Sequence, residues 1–345
     1  MHDHPHVQST YVEAGCFTFT VGDVMPNLGQ GDSVVIPSGV RHGCLCTEAG
    51  TLIDTFTPRR DNFLKTESHK DMLKTETRHA IDPATAKTLD TEQLRDHFHV
   101  GGLFADGEIN LVYSHYDRLI LGSAVPAGKS LTLDKVAAAG TATILERREM
   151  GVLNIGDTGS VSVAGETYDL ENGEVLYIGM GAGPVKFLGE GRFYVLSAPA
   201  HQTYPTTLIK LKDARRVEMG ARETANERVI IQFLHPEVCK SCQLLMGYTQ
   251  FAEGSVWNTM PAHLHDRRME AYLYFQLPET QRVFHLMGEP SQTRHIVMAN
   301  EEAVISPPWS IHAGAGTSSY TFCWAMAGDN VDFTDMDMVA MGDLR

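Results

Sequence analysis

Apolar residues in this chain recur in short runs, rich in β-branched and aromatic side chains and broken by Gly, Pro, Asn and Asp. That rhythm predicts strands rather than helices. Residues 16–21, 33–36 and 50–56 carry it in an amino-terminal unit, 1–65. Residues 66–78 are almost wholly polar and predict a linker with a turn or two of helix. Between 82 and 98, Asp and Thr precede good helix formers, the signature of one or two short helices. Strand runs return at 109–113, 118–121, 151–155, 160–163, 174–178 and 192–196, so 79–228 reads as a second unit with a mixed, charged exit from 201 onward. A third unit, 229–345, carries runs at 229–233, 244–248, 283–287, 294–298, 303–305 and 320–324. Periodicity does not place its acidic, Met-rich end.

Composition narrows the classes. At 345 residues, 43% hydrophobic and 21% charged, the chain is an ordinary globular protein with room for two or three cores. A net charge of −15 argues against nucleic acid or an anionic membrane as partner. No apolar run approaches the roughly 20 residues of a membrane span, and the first residues lack a secretory layout. The six cysteines do not suggest a disulfide scaffold, so the expected location is the cytoplasm.

The strongest candidate chemistry lies in the third unit. His263 and His265 are two apart, so an extended backbone puts both on one face. Glu270 follows five positions later, and His312 closes the stretch after the run at 303–305. Three imidazoles and a carboxylate suit Zn, Fe, Mn, Ni or Cu, and spacing does not choose among them. Cys239 and Cys242 have zinc-knuckle or redox spacing but no second pair, and read as incidental.

Two resemblances refine this reading. His2, His4 and Gln8, followed by Gly31, Pro37, Gly39 and His42, resemble the two motifs of the cupin superfamily. This resemblance implies a small antiparallel barrel with His2, His4, Gln8 and His42 as ligands of a second metal; a solvated terminus is the other reading of residues 1–6. Such barrels have strands ahead of the first motif, so a partial cupin is expected. Residues 173–184 keep the second cupin cadence with Pro184 in the histidine position, which implies a barrel without ligands.

From about residue 79 to 345 the chain resembles the 5-keto-4-deoxyuronate isomerase family. The resemblance is carried by residues 86–91, 113–118, 145–151, 198–205, 257–270, 293–298 and 303–312. It implies a mainly β fold of two cupin (double-stranded β-helix) barrels, preceded here by the partial cupin. It also implies one Zn2+ per chain on His263, His265, Glu270 and His312, a homo-oligomer (a hexamer by resemblance), and a small anionic keto-sugar acid from pectin breakdown as substrate. The implied reaction moves a carbonyl from C1 to C2 by proton transfer through an enediolate, which needs a base. Glu270, Tyr272, Tyr274 and His295 are the candidates. Arg267, Arg268 and Arg294 are candidates for gripping the substrate carboxylate, and Trp309 for walling the pocket. A metal-dependent oxygenase and a noncatalytic sugar-acid-binding cupin are the competing functions.

Overall fold

The computed structural model describes residues 1–58 and 73–345, so the part of the expected linker at 66–72 lies outside the described residues. The chain divides into two compact units, Met1–Ser68 and His69–Arg345.

The first unit is built on one long antiparallel pair, Val7–Val21 against His42–Thr57, with Asn27–Gly29 and Ser33–Ile36 added to the former strand. The pair slips register between Val12 and Phe17. Gly15 and Gly50 face each other there, and a Cβ on Gly50 would stand 1.9 Å from the Ala14 carbonyl oxygen, so only glycine permits the close approach. Val12, Phe17 and Phe19 form its small core.

The second unit repeats one architecture twice: a seven-stranded sheet faces a four-stranded one. In the first barrel the seven strands run in the order Thr207–Ile209, Val175–Ile178, Arg148–Asn154, Phe193–Pro199, Ile120–Val125, Glu108–Ser114 and Leu73–Arg78. In the second the order is Arg215–Met219, Arg228–Leu234, Leu245–Phe251, Thr321–Gly328, Arg268–Phe275, Glu302–Ser306 and His99–Val100. Two helices, Pro83–Ala86 and Thr91–Phe98, start at Asp82 and Asp90, whose carboxylates cap them.

Three features differ from the sequence expectation. Leu73–Arg78 is a strand, parallel to Glu108–Ser114, where a linker was expected. It lies at a sheet edge, held by main-chain pairing and the Lys74–Glu108 ion pair at 2.6 Å, and so needs no apolar pattern. Second, His99–Val100 and Arg215–Met219 belong to the second barrel's sheet, although residues 79–228 were assigned to the first barrel. Third, residues 229–345 do not pack as a separate unit.

The reason is that the two seven-stranded sheets lie back to back. In Arg148–Asn154 every residue is buried: Met150 and Val152 point into the first barrel, whereas Leu153 belongs to a core shared with the second. Gly151 marks the contact, because a Cβ there would meet Met246 Sδ at 2.8 Å and Leu234 Cδ1 at 3.1 Å. Beside it the buried Glu149 carboxylate accepts from Tyr177 Oη (2.8 Å) and from the backbone N–H groups of Cys242 (2.7 Å), Gln243 and Leu244 (both 2.8 Å). The Cys239–Cys242 loop is thereby tied to the first barrel. The interior of that barrel is filled by apolar side chains, including Val161, Phe187 and Phe193.

Candidate metal centre and active site

The inner face of the second barrel's large sheet is fixed by strand alternation. Arg268, Glu270 and Tyr272 point inward from one strand, Phe322, Trp324 and Met326 from its neighbour, Thr249 from the next, and Arg228 and Ile230 from the fourth. Gly247 lies opposite Trp324, and a Cβ on it would come within 2.4 Å of the indole, so its hydrogen is what lets the ring lie flat on the sheet. With Met336 and Met338 from the chain's end, these residues enclose a cavity of about 260 Å³. The end is held in place by pairing of Asp337–Met338 with His263–Leu264.

At one side of this cavity His263, His265, Glu270 and His312 converge, with all ligand atoms within 4.8 Å of one another. His312 Nε2 is 3.0 Å from His263 Nε2 and 2.9 Å from Glu270 Oε2, and His265 Nε2 is 3.1 Å from the same oxygen. His265 Nδ1 faces the Arg268 carbonyl at 3.0 Å and must donate to it. Burial, with His312 beside it, lowers the His263 pKa to about 3, so that ring is neutral near pH 7. Burial of Glu270 opposes its charge, yet the neighbouring His312 and His265 win and hold its pKa well below the usual carboxylate range. Three imidazoles and a carboxylate converging at these distances form the donor set of a cation site. The spacings approach the roughly 3.3 Å expected between ligands at bond lengths of about 2.0–2.1 Å.

The other expected site residues divide. Tyr272 lines the cavity, its hydroxyl 3.0 Å from Thr259 Oγ1 and its ring 5.7 Å from that of His312. Burial and the Glu270 charge push its pKa well above 10, so it keeps its proton. Tyr274 does not line the cavity; its hydroxyl meets His285 Nδ1 at 2.8 Å. His295 is exposed on Gln292–Met298, in the opposing small sheet, and outside the cavity. Arg294 is likewise outside, donating to the carbonyls of Ala86, Lys87 and Leu89 at the end of a short helix. Arg267 is exposed and paired with Asp335. Trp309 packs edge-on against Phe98 with ring centroids 6.2 Å apart, and walls no part of this cavity. Arg268 does line it, but its terminal nitrogens are occupied by the Asp332 carbonyl at 2.6 Å and the Asp335 carbonyl at 3.0 Å.

Sequence reasoning missed Arg228, Thr259, Trp324 and the methionines of the closing segment. Arg228 was within reach of it, since it stands two positions before Ile230 in a strand run. Thr259 carries a second signal visible only in the backbone, a φ of +50° that is rare for a β-branched residue.

In the first unit His2, His4 and His42 form a second cluster within 4.8 Å. His42 Nδ1 faces the Val40 carbonyl at 2.8 Å, which leaves its buried Nε2 without a hydrogen-bond partner. Gln8 Oε1 lies 3.1 Å from His4 Nε2, and the Gln8 amide nitrogen is fixed by Asp54 and Thr10, each at 3.0 Å. All four expected residues are thus brought together.

Comparison with known proteins agrees with this architecture. The KduI/IolB family profile matches residues 98–341, and a cupin domain profile matches residues 1–55. The chain is 67% identical over 274 residues to 4-deoxy-L-threo-5-hexosulose-uronate ketol-isomerase of Cereibacter sphaeroides, covering 79% of this chain and 100% of that protein. It is 60% identical, with the same coverage, to the protein of that name from Agrobacterium fabrum. Among solved structures, an IolB-like protein from Salmonella typhimurium aligns with a TM-score of 0.54 at 17% identity, over 64% of this chain and 86% of the other, a likeness of fold. The repeated sheets, the filled first barrel and the match across residues 98–341 together make this chain a member of the KduI/IolB family, with a cupin domain at its amino terminus.

Proposed function

We propose that the protein is a metal-dependent ketol-isomerase that converts 5-dehydro-4-deoxy-D-glucuronate to 3-deoxy-D-glycero-2,5-hexodiulosonate in uronate catabolism, with zinc on His263, His265, Glu270 and His312. The observation that carries the reading is the convergence of these four residues, three of which, His263, His265 and Glu270, line a small cavity. A volume of about 260 Å³ suits a single sugar acid rather than a polymer. The relatives' shared name supplies the substrate.

A bound divalent metal would supply the positive charge that stabilises oxygen atoms as they become anionic. The chain supplies the rest. Among the four base candidates only Glu270 and Tyr272 line the cavity. Glu270 is the group that carries negative charge, and Tyr272 is the group that holds a proton, at Oη, oriented by Thr259. Trp324, Phe322 and Met326 exclude water from the reacting carbons. No helix among the described residues is long and apolar enough to cross a membrane, and the proposed setting is the cytoplasm, with the chain assembled as a homo-oligomer. The His2, His4, Gln8 and His42 cluster is proposed as a second metal site on the convergence of its donors and the buried, unpartnered Nε2 of His42.

The test combines metal analysis of wild type and His312→Ala with NMR of the keto-uronate in D2O. Stoichiometric zinc in the wild type, lost in the variant together with turnover, and solvent deuterium on the product's hydroxymethyl carbon, the one formed from C1 of the substrate, are expected. Bound iron with substrate-dependent oxygen uptake would replace this reading by the oxygenase, and tight binding without turnover by the sugar-acid-binding cupin.

A further inference from the structure

We propose that Arg228 is the subsite for the carboxylate of the acid that enters the cavity, in place of Arg267, Arg268 and Arg294. The proposal deepens the isomerase reading and rests on it for the choice of acid. Its ground is a comparison of what each guanidinium already holds. Arg267 is paired with Asp335 at the surface, Arg294 is spent on helix carbonyls, and Arg268 is locked into the closing segment by two carbonyls and Asn330 Oδ1. Arg228 differs. It is half-buried, lines the cavity with His263, His265 and Glu270, and among the described residues its side chain makes one bond, from Nη1 to the Asn226 carbonyl at 2.8 Å.

Among the described residues its Nε and Nη2 meet no acceptor and no carboxylate forms an ion pair with it. The groups that act on it electrostatically are burial, Tyr272 and Tyr320, none of them an anion near pH 7. A chain with 43 acidic and 28 basic residues has carboxylates to spare, so a desolvated guanidinium without one is an unmet charge at a cavity wall. The free edge formed by Nε and Nη2 is the fork that accepts a carboxylate through two parallel hydrogen bonds. The polarity of the cavity then follows: the acid end sits toward Arg228, and the carbonyl end toward the quartet. Much of the remaining wall is apolar, formed by Ile230, Phe322 and Trp324, and the other arginine on it, Arg268, has both terminal nitrogens held by backbone carbonyls.

The experiment measures binding and turnover of 5-dehydro-4-deoxy-D-glucuronate and of its uncharged methyl ester by the metal-loaded wild type, Arg228→Gln and Arg228→Lys. Two charge-assisted bonds are worth roughly a hundredfold, so wild type is expected to bind the acid about a hundredfold more tightly than the ester. Arg228→Gln is expected to bring that ratio close to one, and Arg228→Lys to restore part of it, with metal content equal in all three. If Arg228→Gln fails to fold, the reduced ratio in Arg228→Lys carries the test. An acid-to-ester ratio that is the same in wild type and variants, or a wild type without preference for the acid, overturns the proposal. Preference for the acid that depends on Arg228 but without turnover upholds the subsite and removes the isomerase reading, so the two fail separately.

Discussion

The Glu149 carboxylate offers a sharp test of how the two barrels are joined. It is fully buried on the first barrel, and three of its four donors are backbone N–H groups of residues 242–244, which lead into the second barrel's strand Leu245–Phe251. Glu149→Gln keeps the shape but turns one acceptor oxygen into an amide nitrogen. Whichever way the amide points, two donors lose their acceptor and meet N–H groups instead. Hydrogen bonds to a charged group contribute about 1.5–3 kcal/mol each, and relief from burying a charge offsets part of the loss, so a net destabilisation of about 3 kcal/mol is expected. Urea unfolding followed by tryptophan emission reads the second barrel, because Trp257, Trp309 and Trp324 all lie there. Metal content is expected to stay at the wild-type level, since the quartet occupies the opposite face of the sheet. A midpoint shift worth less than about 1 kcal/mol would refute the view that this carboxylate latches the barrels.

Further outcomes follow from other named residues. Burial, with His312 nearby, lowers the His285 pKa to about 3. Between that value and the ordinary 6.5 the unfolded chain binds the extra proton, so the contribution of neutral His285 is full above pH 6.5 and is lost as pH falls toward 3. His285→Asn is expected to lose about 2–3 kcal/mol less than wild type between pH 7 and pH 4.5 in paired denaturation curves, and equal losses would contradict the assignment. Gly247→Ala drives a methyl group into the Trp324 indole and is expected to cost about 1–3 kcal/mol of stability and to raise KM, seen in thermal melts and steady-state kinetics. Arg294→Ala is expected to lower stability by about 1 kcal/mol through the helix-end carbonyls while KM stays at the wild-type value; a large rise in KM would return Arg294 to the substrate.

Much was legible in the chain itself. Period-two runs broken by turn residues are local, and they specified strands because alternation alone decides which side chains share a face. The same rule put His263 and His265 on one face, and Glu270 from the next strand and His312 from a strand-ending segment completed the candidate site. The short helices were announced by Asp82 and Asp90, whose caps act within three residues. The amino-terminal histidine cluster was readable as well, from the resemblance of His2, His4, Gln8 and His42 to the cupin motifs.

Tertiary structure decided the rest, for reasons of partnership. Whether an arginine is available depends on what lies against it: Arg294 is claimed by carbonyls more than 200 positions earlier, Arg268 by the closing segment, and Arg228 by neither. Tyr272 and Tyr274 occupy equivalent positions in one strand, yet one hydroxyl meets Thr259 at the cavity and the other His285 behind it. The polar edge strand Leu73–Arg78 has no apolar signature because its stabilising bonds run through the backbone. Sequence therefore determined the strands and the quartet of candidate ligands, which depend on local alternation and residue chemistry. Only the fold determined which charged groups remain unspent, because that depends on contacts between segments far apart in the chain.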